Sequence, residues 1–303
     1  MTTGHAVLVG ATASGKSALA MALARRDPTW ELVSVDSMQV YRGMDIGTAK
    51  PTAAEQAEVP HHLLDLLDPW EEGAVAWFQA QAVDVLADIE ARGRRALLVG
   101  GTALYVQAIV DQLDIPGRYP AVRGELEADP DTGALHARLV ALDPAAAARM
   151  EPGNRRRVVR ALEVTIGSGR PFSSYGPGLD AHPSTPFAMV GLRRTPSDLR
   201  ARIAARYDAQ LAAGFVEEVR RLYTDPRGVS RTAAQALGYQ ELHEHLTGGV
   251  PLEDAVERAG HRTARFARRQ RAWFRRDPRI AWLDLAPGED ANLLVDALAR
   301  TVG

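Results

Sequence analysis

The sequence predicts an α/β fold: a P-loop parallel sheet covered by helices, carrying a mainly helical insertion. Three observations point there. Short apolar runs alternate with helical patterns through the first third of the chain. A glycine-rich loop stands between the first such run and the first helix. A middle stretch then loses strand signal before one more core-like strand appears.

In order along the chain, 5–9 reads as a short buried strand and Lys16 to Arg26 as a helix with apolar residues at helical spacing. A second strand is expected over Glu31 to Val35, a long helix over Trp77 to Arg92, and a third strand over Arg95 to Val99 before Gly100-Gly101. From about Ile115 to His182 the pattern is helical, with Pro/Gly/Ser-rich edges. Phe187 to Leu192 resembles another core strand, and the remainder after Ser197 reads as mainly helical. The domain expectation is therefore a core of 1–115 and 183–303 around an insertion of 116–182. No internal repeat is visible.

At 303 residues, with 46% hydrophobic and 24% charged residues, the composition is that of an ordinary globular chain. No apolar run is long enough for a membrane span, and the first residues lead straight into a strand, so a cytoplasmic protein is expected. The absence of cysteine excludes disulfides, thiolate metal sites and cysteine nucleophiles. A net charge of −2 carries no global bias toward nucleic acid, but the basic residues are clustered. Only Lys16 and Lys50 among the 36 basic residues are lysine. A compact ammonium at position 16 is what a phosphate loop requires.

Gly10-Ala11-Thr12-Ala13-Ser14-Gly15-Lys16-Ser17 fits G-x-x-x-x-G-K-[ST] in the required strand-to-helix setting. Glycines let backbone N–H groups turn inward, the helix N-terminus adds positive potential, Lys16 adds a point charge, and Ser17 can ligate Mg²⁺. The loop alone does not choose between ATP and another diphosphate. Ligands of open α/β sheets sit beyond the carboxyl ends of the strands, which places Asp36 and Gly100-Gly101-Thr102 opposite the loop. Asp36 could partner Mg²⁺, act as a general base, or cap a helix together with Ser37. Gln39 and the turn Gly43 to Lys50 favour a loop that faces substrate.

Six blocks in order, spanning nearly the whole chain, resemble the bacterial tRNA dimethylallyltransferase (tRNA isopentenyltransferase) family. They are Asp36-Ser-Met-Gln39-Val-Tyr41-Arg-Gly43-Met-Asp45-Ile-Gly47-Thr48-Ala-Lys50-Pro51, Val59-Pro-His-His-Leu63, Gly100-Gly101-Thr102-Ala-Leu-Tyr105, Arg157-Val-Val-Arg160-Ala-Leu-Glu-Val164, Gly238-Tyr-Gln-Glu241 and Arg268-Arg-Gln270-Arg-Ala-Trp273-Phe274-Arg275. Departures are Ala103 in place of the usual glycine, Arg156 where glutamine is common, and Ala264 and Ala272 for Arg and Thr. The last two weaken the case for tRNA contacts along the final block.

The resemblance implies a prenyltransferase that moves a dimethylallyl group from dimethylallyl diphosphate to N6 of the adenosine 3′ to the anticodon. The tRNAs concerned read codons beginning with U. It implies that residues 10–17 hold the diphosphate with Mg²⁺, and that Lys16, Asp36, Thr102 and Arg206 carry the chemistry. The alternative for Arg206 is a solvated face of its helix. The implied tRNA-facing residues are Asp36, Ser37, Met38, Gln39, Thr102, Arg123, Arg156, Arg157, Val158, Val159, Arg160, Gln235, Ala236, Leu237, Gly238, Tyr239, Gln240, Arg268, Arg269 and Arg275. The partner is the anticodon stem-loop, and a monomer is expected.

Wrapping residues 262–276 at ~100° per residue gathers seven arginines on one half of a helix and Phe266, Gln270, Trp273 and Phe274 on the other. The first face suits phosphates and the second suits docking to a core. His61-His62 lacks a third ligand at suitable spacing, so no zinc site is expected. Competing readings are a small-molecule kinase using ATP, an RNA-binding nucleotide switch without chemistry, and a prenyltransferase acting on free adenine nucleotides.

Overall fold

The computed structural model describes residues 4–303, which fall into two compact units: residues up to Val110 with Ser184–Gly303, and Asp111–Pro183. In chain order the elements of the first part are β1 (Ala6–Gly10), α1 (Lys16–Arg26), β2 (Trp30–Val35), α2 (Ala53–Glu58), β3 (His61–His62), α3 (Val75–Ala91), β4 (Arg95–Gly100) and α4 (Ala103–Val110). The second unit contributes α5 (Pro120–Ala128), α6 (Thr132–Leu142), α7 (Pro144–Ala147) and α8 (Arg155–Ser168). The chain then adds β5 (Ala188–Arg193), α9 (Pro196–Ala212), α10 (Phe215–Thr224), α11 (Tyr239–Leu246), α12 (Leu252–Phe274), β6 (Ala281–Asp284) and α13 (Val295–Val302).

All six strands pair in parallel, in the order β3-β2-β4-β1-β5-β6. The pleat sorts alternate residues onto two faces. Val7, Val9, Val33, Val35, Ala96 and Leu98 face one core, whereas Ala6, Leu8, Trp30, Leu32 and Leu97 face another closed by residues of α1 and α13. A sheet covered on both faces leaves only its strand ends open to ligands. Strands β3 and β6 correct the sequence expectation. Each is short and lies at an edge, so neither run shows enough alternation to stand out from its helical surroundings.

The buried carboxylate of β2 is satisfied, whereas His5 Nε2 and Ser14 Oγ, also buried, have no hydrogen-bond partner among the described residues. Glu31 in β2 takes both Arg92 and, at 2.7 Å, the ring of His62. His61 bonds Val59 O at 2.7 Å, so each adjacent histidine is held by its own chain. No described helix is long and apolar enough to cross a membrane.

In the second unit, α5, α6 and α8 share a core of Leu126, Leu135, Leu139, Val158 and Leu162. Asp131, Asp143 and Asn154 cap α6, α7 and α8 through their side chains. Buried Glu163 accepts the Tyr119 N–H at 2.9 Å and pairs with Arg160 at 3.1 Å and Arg123 at 3.3 Å.

Candidate active site

Residues 10–17 link β1 to α1 and fold as a tight phosphate loop. Gly15 sits at φ 100°, a left-handed conformation open to glycine, and Ala13 sits at φ 62°. For alanine that costs about 1–2 kcal/mol, so the surroundings must hold it there. They do so with cations on the loop carbonyls. Lys16 Nζ donates to Ala11 O at 2.9 Å, Arg202 Nε to Ala13 O at 2.8 Å, and Arg194 Nε to Ser14 O at 2.7 Å. With the carbonyls drawn outward, the N–H groups of Ala13, Gly15, Lys16 and Ser17 find no acceptor among the described residues. Inward amides at a helix N-terminus form an anion cradle.

Arg206, on α9 one turn after Arg202, donates from Nη1 to Thr12 Oγ1 at 2.8 Å. It therefore belongs to the loop and not to a solvated face. Burial lowers its guanidinium, with Asp36 and then Tyr207 acting the other way. The Lys16 ammonium is likewise pushed down to about 8, first by burial and then by Arg206, with Asp36 acting the other way. Two desolvated cations beside one carboxylate make a site short of negative charge.

Asp36 follows β2 directly. Its Oδ1 accepts the Met38 N–H at 2.8 Å, closing a turn, and no helix begins there for it to cap. Its other oxygen takes no hydrogen bond from the described residues. Thr102, after β4, receives the Ser37 N–H on Oγ1 at 3.2 Å. The ends of β1, β2 and β4 thus bring Lys16, Asp36, Thr102 and Arg206 to the same edge of the sheet.

Other sequence expectations change. The Gln39 side chain faces inward: its Oε1 accepts from Ser34 at 2.7 Å, and its Nε2 donates to Thr48 O and Ala49 O at 3.2 and 3.1 Å. The turn from Gly43 to Lys50 is clamped rather than open. Buried Glu218 accepts the N–H groups of Asp45, Ile46 and Gly47 at 2.8–3.1 Å and the Tyr239 hydroxyl at 2.6 Å. Lys50 is buried against Asp45 and Asp65, 2.6 Å from each. This segment is the wall of the site.

Among the expected tRNA contacts, Val158, Val159, Ala236, Gly238 and Tyr239 are buried, because helical and turn spacing turns them to a core. Arg123 and Arg160 are engaged with Glu163. Arg156, Arg157, Gln235 and Gln240 are exposed, Leu237 half-buried. On α12 the expected stripe is not one free face: Arg262 pairs with Glu241 at 3.0 Å, and Arg275 and Arg276 lie beyond the helix. Phe274 is buried in the core with Trp273 packed on it. Arg269 stands over the Phe266 ring at 5.7 Å. Arg268, Arg271 and Arg275 line a cavity of about 210 Å³ that reaches the loop at Gly10, Ala11 and Ser14 on the β5 side.

Two residues escape the sequence reading. Arg202 lies four residues before Arg206, and that spacing could have revealed it. Arg194 carries no local signal. Gln270, which the sequence places on the docking face, reaches the phosphate loop itself, its amide oxygen 2.8 Å from the Thr12 nitrogen.

No group of three or more His, Asp or Glu among the described residues could hold a metal. The donors present, an exposed Ser17 hydroxyl at the loop and a half-free Asp36 carboxylate, fit a Mg²⁺ ion that completes its shell with substrate phosphates and water.

The IPP transferase family matches residues 39–277. The chain is 50% identical to the tRNA dimethylallyltransferase of Nocardioides sp. over 280 residues, 91% of this chain and 89% of the relative. It is 46% identical to that of Corynebacterium efficiens over 97% of this chain and 98% of the relative. Among solved structures it is similar to the tRNA isopentenylpyrophosphate transferase of Bacillus halodurans, with TM-score 0.70 and 38% identity over 98% and 96% of the two chains. A eukaryotic dimethylallyltransferase acting on tRNA superposes with TM-score 0.79 at 26% identity, over 98% of this chain and 77% of the other. A phosphate loop facing an acidic turn across a parallel sheet, with likeness along nearly the whole length, places this chain in the IPP transferase family.

Proposed function

We propose that this chain is a tRNA dimethylallyltransferase. It moves the dimethylallyl group of dimethylallyl diphosphate to N6 of the adenosine on the 3′ side of the anticodon, in tRNAs reading codons that begin with U. The observation that carries this is the meeting of an amide cradle ringed by Lys16 and Arg206 with Asp36 and Thr102 at the adjoining strand ends. The names of the relatives supply the substrate class.

The chemistry follows from charge. The allylic C–O bond breaks with its electron pair going to the leaving diphosphate, whose negative charge the inward amides, Lys16 and Arg206 stabilise. Mg²⁺, held by Ser17, would add charge on the phosphate oxygens. The N6 lone pair forms the new N–C bond, and Asp36 accepts the proton that N6 gives up. Thr102 sits beside both groups. Its hydroxyl accepts from the Ser37 amide at 3.2 Å and makes only a long 3.5 Å donation to Ser37 Oγ, a proton that a substrate oxygen could take over.

An adenosine in an unpaired loop is flipped out for a few kcal/mol, which exposed arginines can offset. Arg268 and Arg275, beside the phosphate loop, and Arg156 and Arg157 are candidates for phosphate contacts. Charge reversal at Arg268 is expected to weaken tRNA binding and to reduce the slope of log Kd against log salt by about 1. An unchanged slope removes that residue from the interface.

The test of function is transfer of radiolabel from dimethylallyl diphosphate to unmodified tRNA in the presence of Mg²⁺, followed by nuclease digestion. Label is expected in N6-isopentenyladenosine. Consumption of ATP on a small molecule with no label in tRNA would establish a kinase instead.

A further inference from the structure

Gln270 lies on α12, is 5% exposed, and commits its amide oxygen and one amide N–H to two loops far away in sequence. Its Oε1 accepts the Thr12 N–H at 2.8 Å, and its Nε2 donates to Gly101 O at 2.8 Å. One end needs an acceptor and the other a donor. Among uncharged side chains of this length only the amide supplies both, which also fixes its orientation.

These two loops are the halves of the candidate site. Thr12 receives Arg206 on its hydroxyl, and Gly101 precedes Thr102, which receives the Ser37 N–H. The β1–β4 pairing ends at Val9 and Gly100. Beyond it, among the described residues, the hydrogen-bonded link between the two loops runs through Gln270. The space is exact. A Cβ on Gly101 would lie 2.3 Å from Gln270 Nε2 and 3.2 Å from Gly10 O.

We infer that Gln270 is a positioning residue that sets the distance between the diphosphate loop and the Thr102–Asp36 side. This rests on the prenyl-transfer reading for its catalytic consequence, though not for its geometry. By holding the Thr12 N–H outward it orients the first peptide of the cradle. By holding the Gly101 carbonyl it orients the peptide that carries Thr102. A misplacement near 1 Å between reacting groups costs on the order of a hundredfold in rate.

The test uses the full chain with Gln270→Met, Gln270→Ala, Gly101→Ala and the double variant Gln270→Ala/Gly101→Ala. Thermal midpoints, tRNA Kd, calorimetric affinity for pyrophosphate with Mg²⁺, and kcat and KM for transfer are measured. Gln270→Met fills the same volume without either bond. It is expected to keep tRNA Kd within about twofold, to lose roughly tenfold in pyrophosphate affinity, and to lose ten- to a hundredfold in kcat. Gly101→Ala is expected to show the same pattern by pushing the amide aside. In the Gln270→Ala background, where the amide is gone, the added methyl should change kcat and affinity by less than about twofold.

Wild-type kcat and pyrophosphate affinity in Gln270→Met overturn the inference. So does a drop in thermal midpoint with unchanged constants per folded molecule, which would make the residue a packing element. Losses that simply multiply in the double variant also overturn it. If the wild-type chain transfers no prenyl group, the functional reading fails, and the pyrophosphate series still decides the role of Gln270.

Discussion

Asp36→Asn is expected to lower kcat by roughly 10²–10⁴-fold while affinity for tRNA stays within about threefold. Asparagine keeps an oxygen where Asp36 Oδ1 accepts the Met38 N–H, so the turn after β2 survives. It cannot take the N6 proton. Single-turnover transfer with saturating enzyme isolates the chemical step. The carboxylate also supports the Lys16 charge, so a modest weakening of diphosphate binding should accompany the loss. Wild-type single-turnover rates would remove Asp36 from proton transfer.

Lys16→Met is expected to cut kcat/KM for the diphosphate by on the order of 10²–10³-fold or more, since it removes a buried charge held at the phosphate loop. Its effect on stability has the opposite sign. The Lys16 group is lowered from 10.5 to about 8 in the folded chain, first by burial. A base with a lowered folded value destabilises the fold while it is charged in both states. That penalty is complete below about pH 8 and is relieved as pH rises toward the unfolded value. At neutral pH the methionine variant, freed of a desolvated charge beside Arg206, should melt at or above the wild-type temperature.

Binding carries the same signature. Wild-type affinity for dimethylallyl diphosphate without tRNA should fall as pH rises above about 8, approaching tenfold per unit, while the variant is flat in that window. Equal pH slopes would mean that Lys16 does not titrate there.

The site shows why some residues are legible in a sequence and others are not. The loop from Gly10 to Ser17 works through its own backbone, so its spacing is its mechanism. Asp36 and Thr102 could be placed because both follow strands that a parallel sheet must align. Arg206 was ambiguous, since periodicity says which residues share a face and not what lies opposite. In the structure that opposite partner is Thr12. Tyr239 stands in a block that resembles a functional motif, yet it is buried against Glu218.

What the sequence by itself determined is the local chemistry: a strand, a phosphate loop and a helix in succession, an acidic turn after the next strand, and basic clusters late in the chain. Tertiary structure decided which cations brace the loop, that the Gly43–Lys50 turn is a wall held by Glu218, and that Gln270 joins the two halves of the site. The physical reason is separation. Gln270 and Thr12 lie 258 residues apart, and a hydrogen bond across that distance depends on how α12 crosses the sheet, which no local pattern encodes.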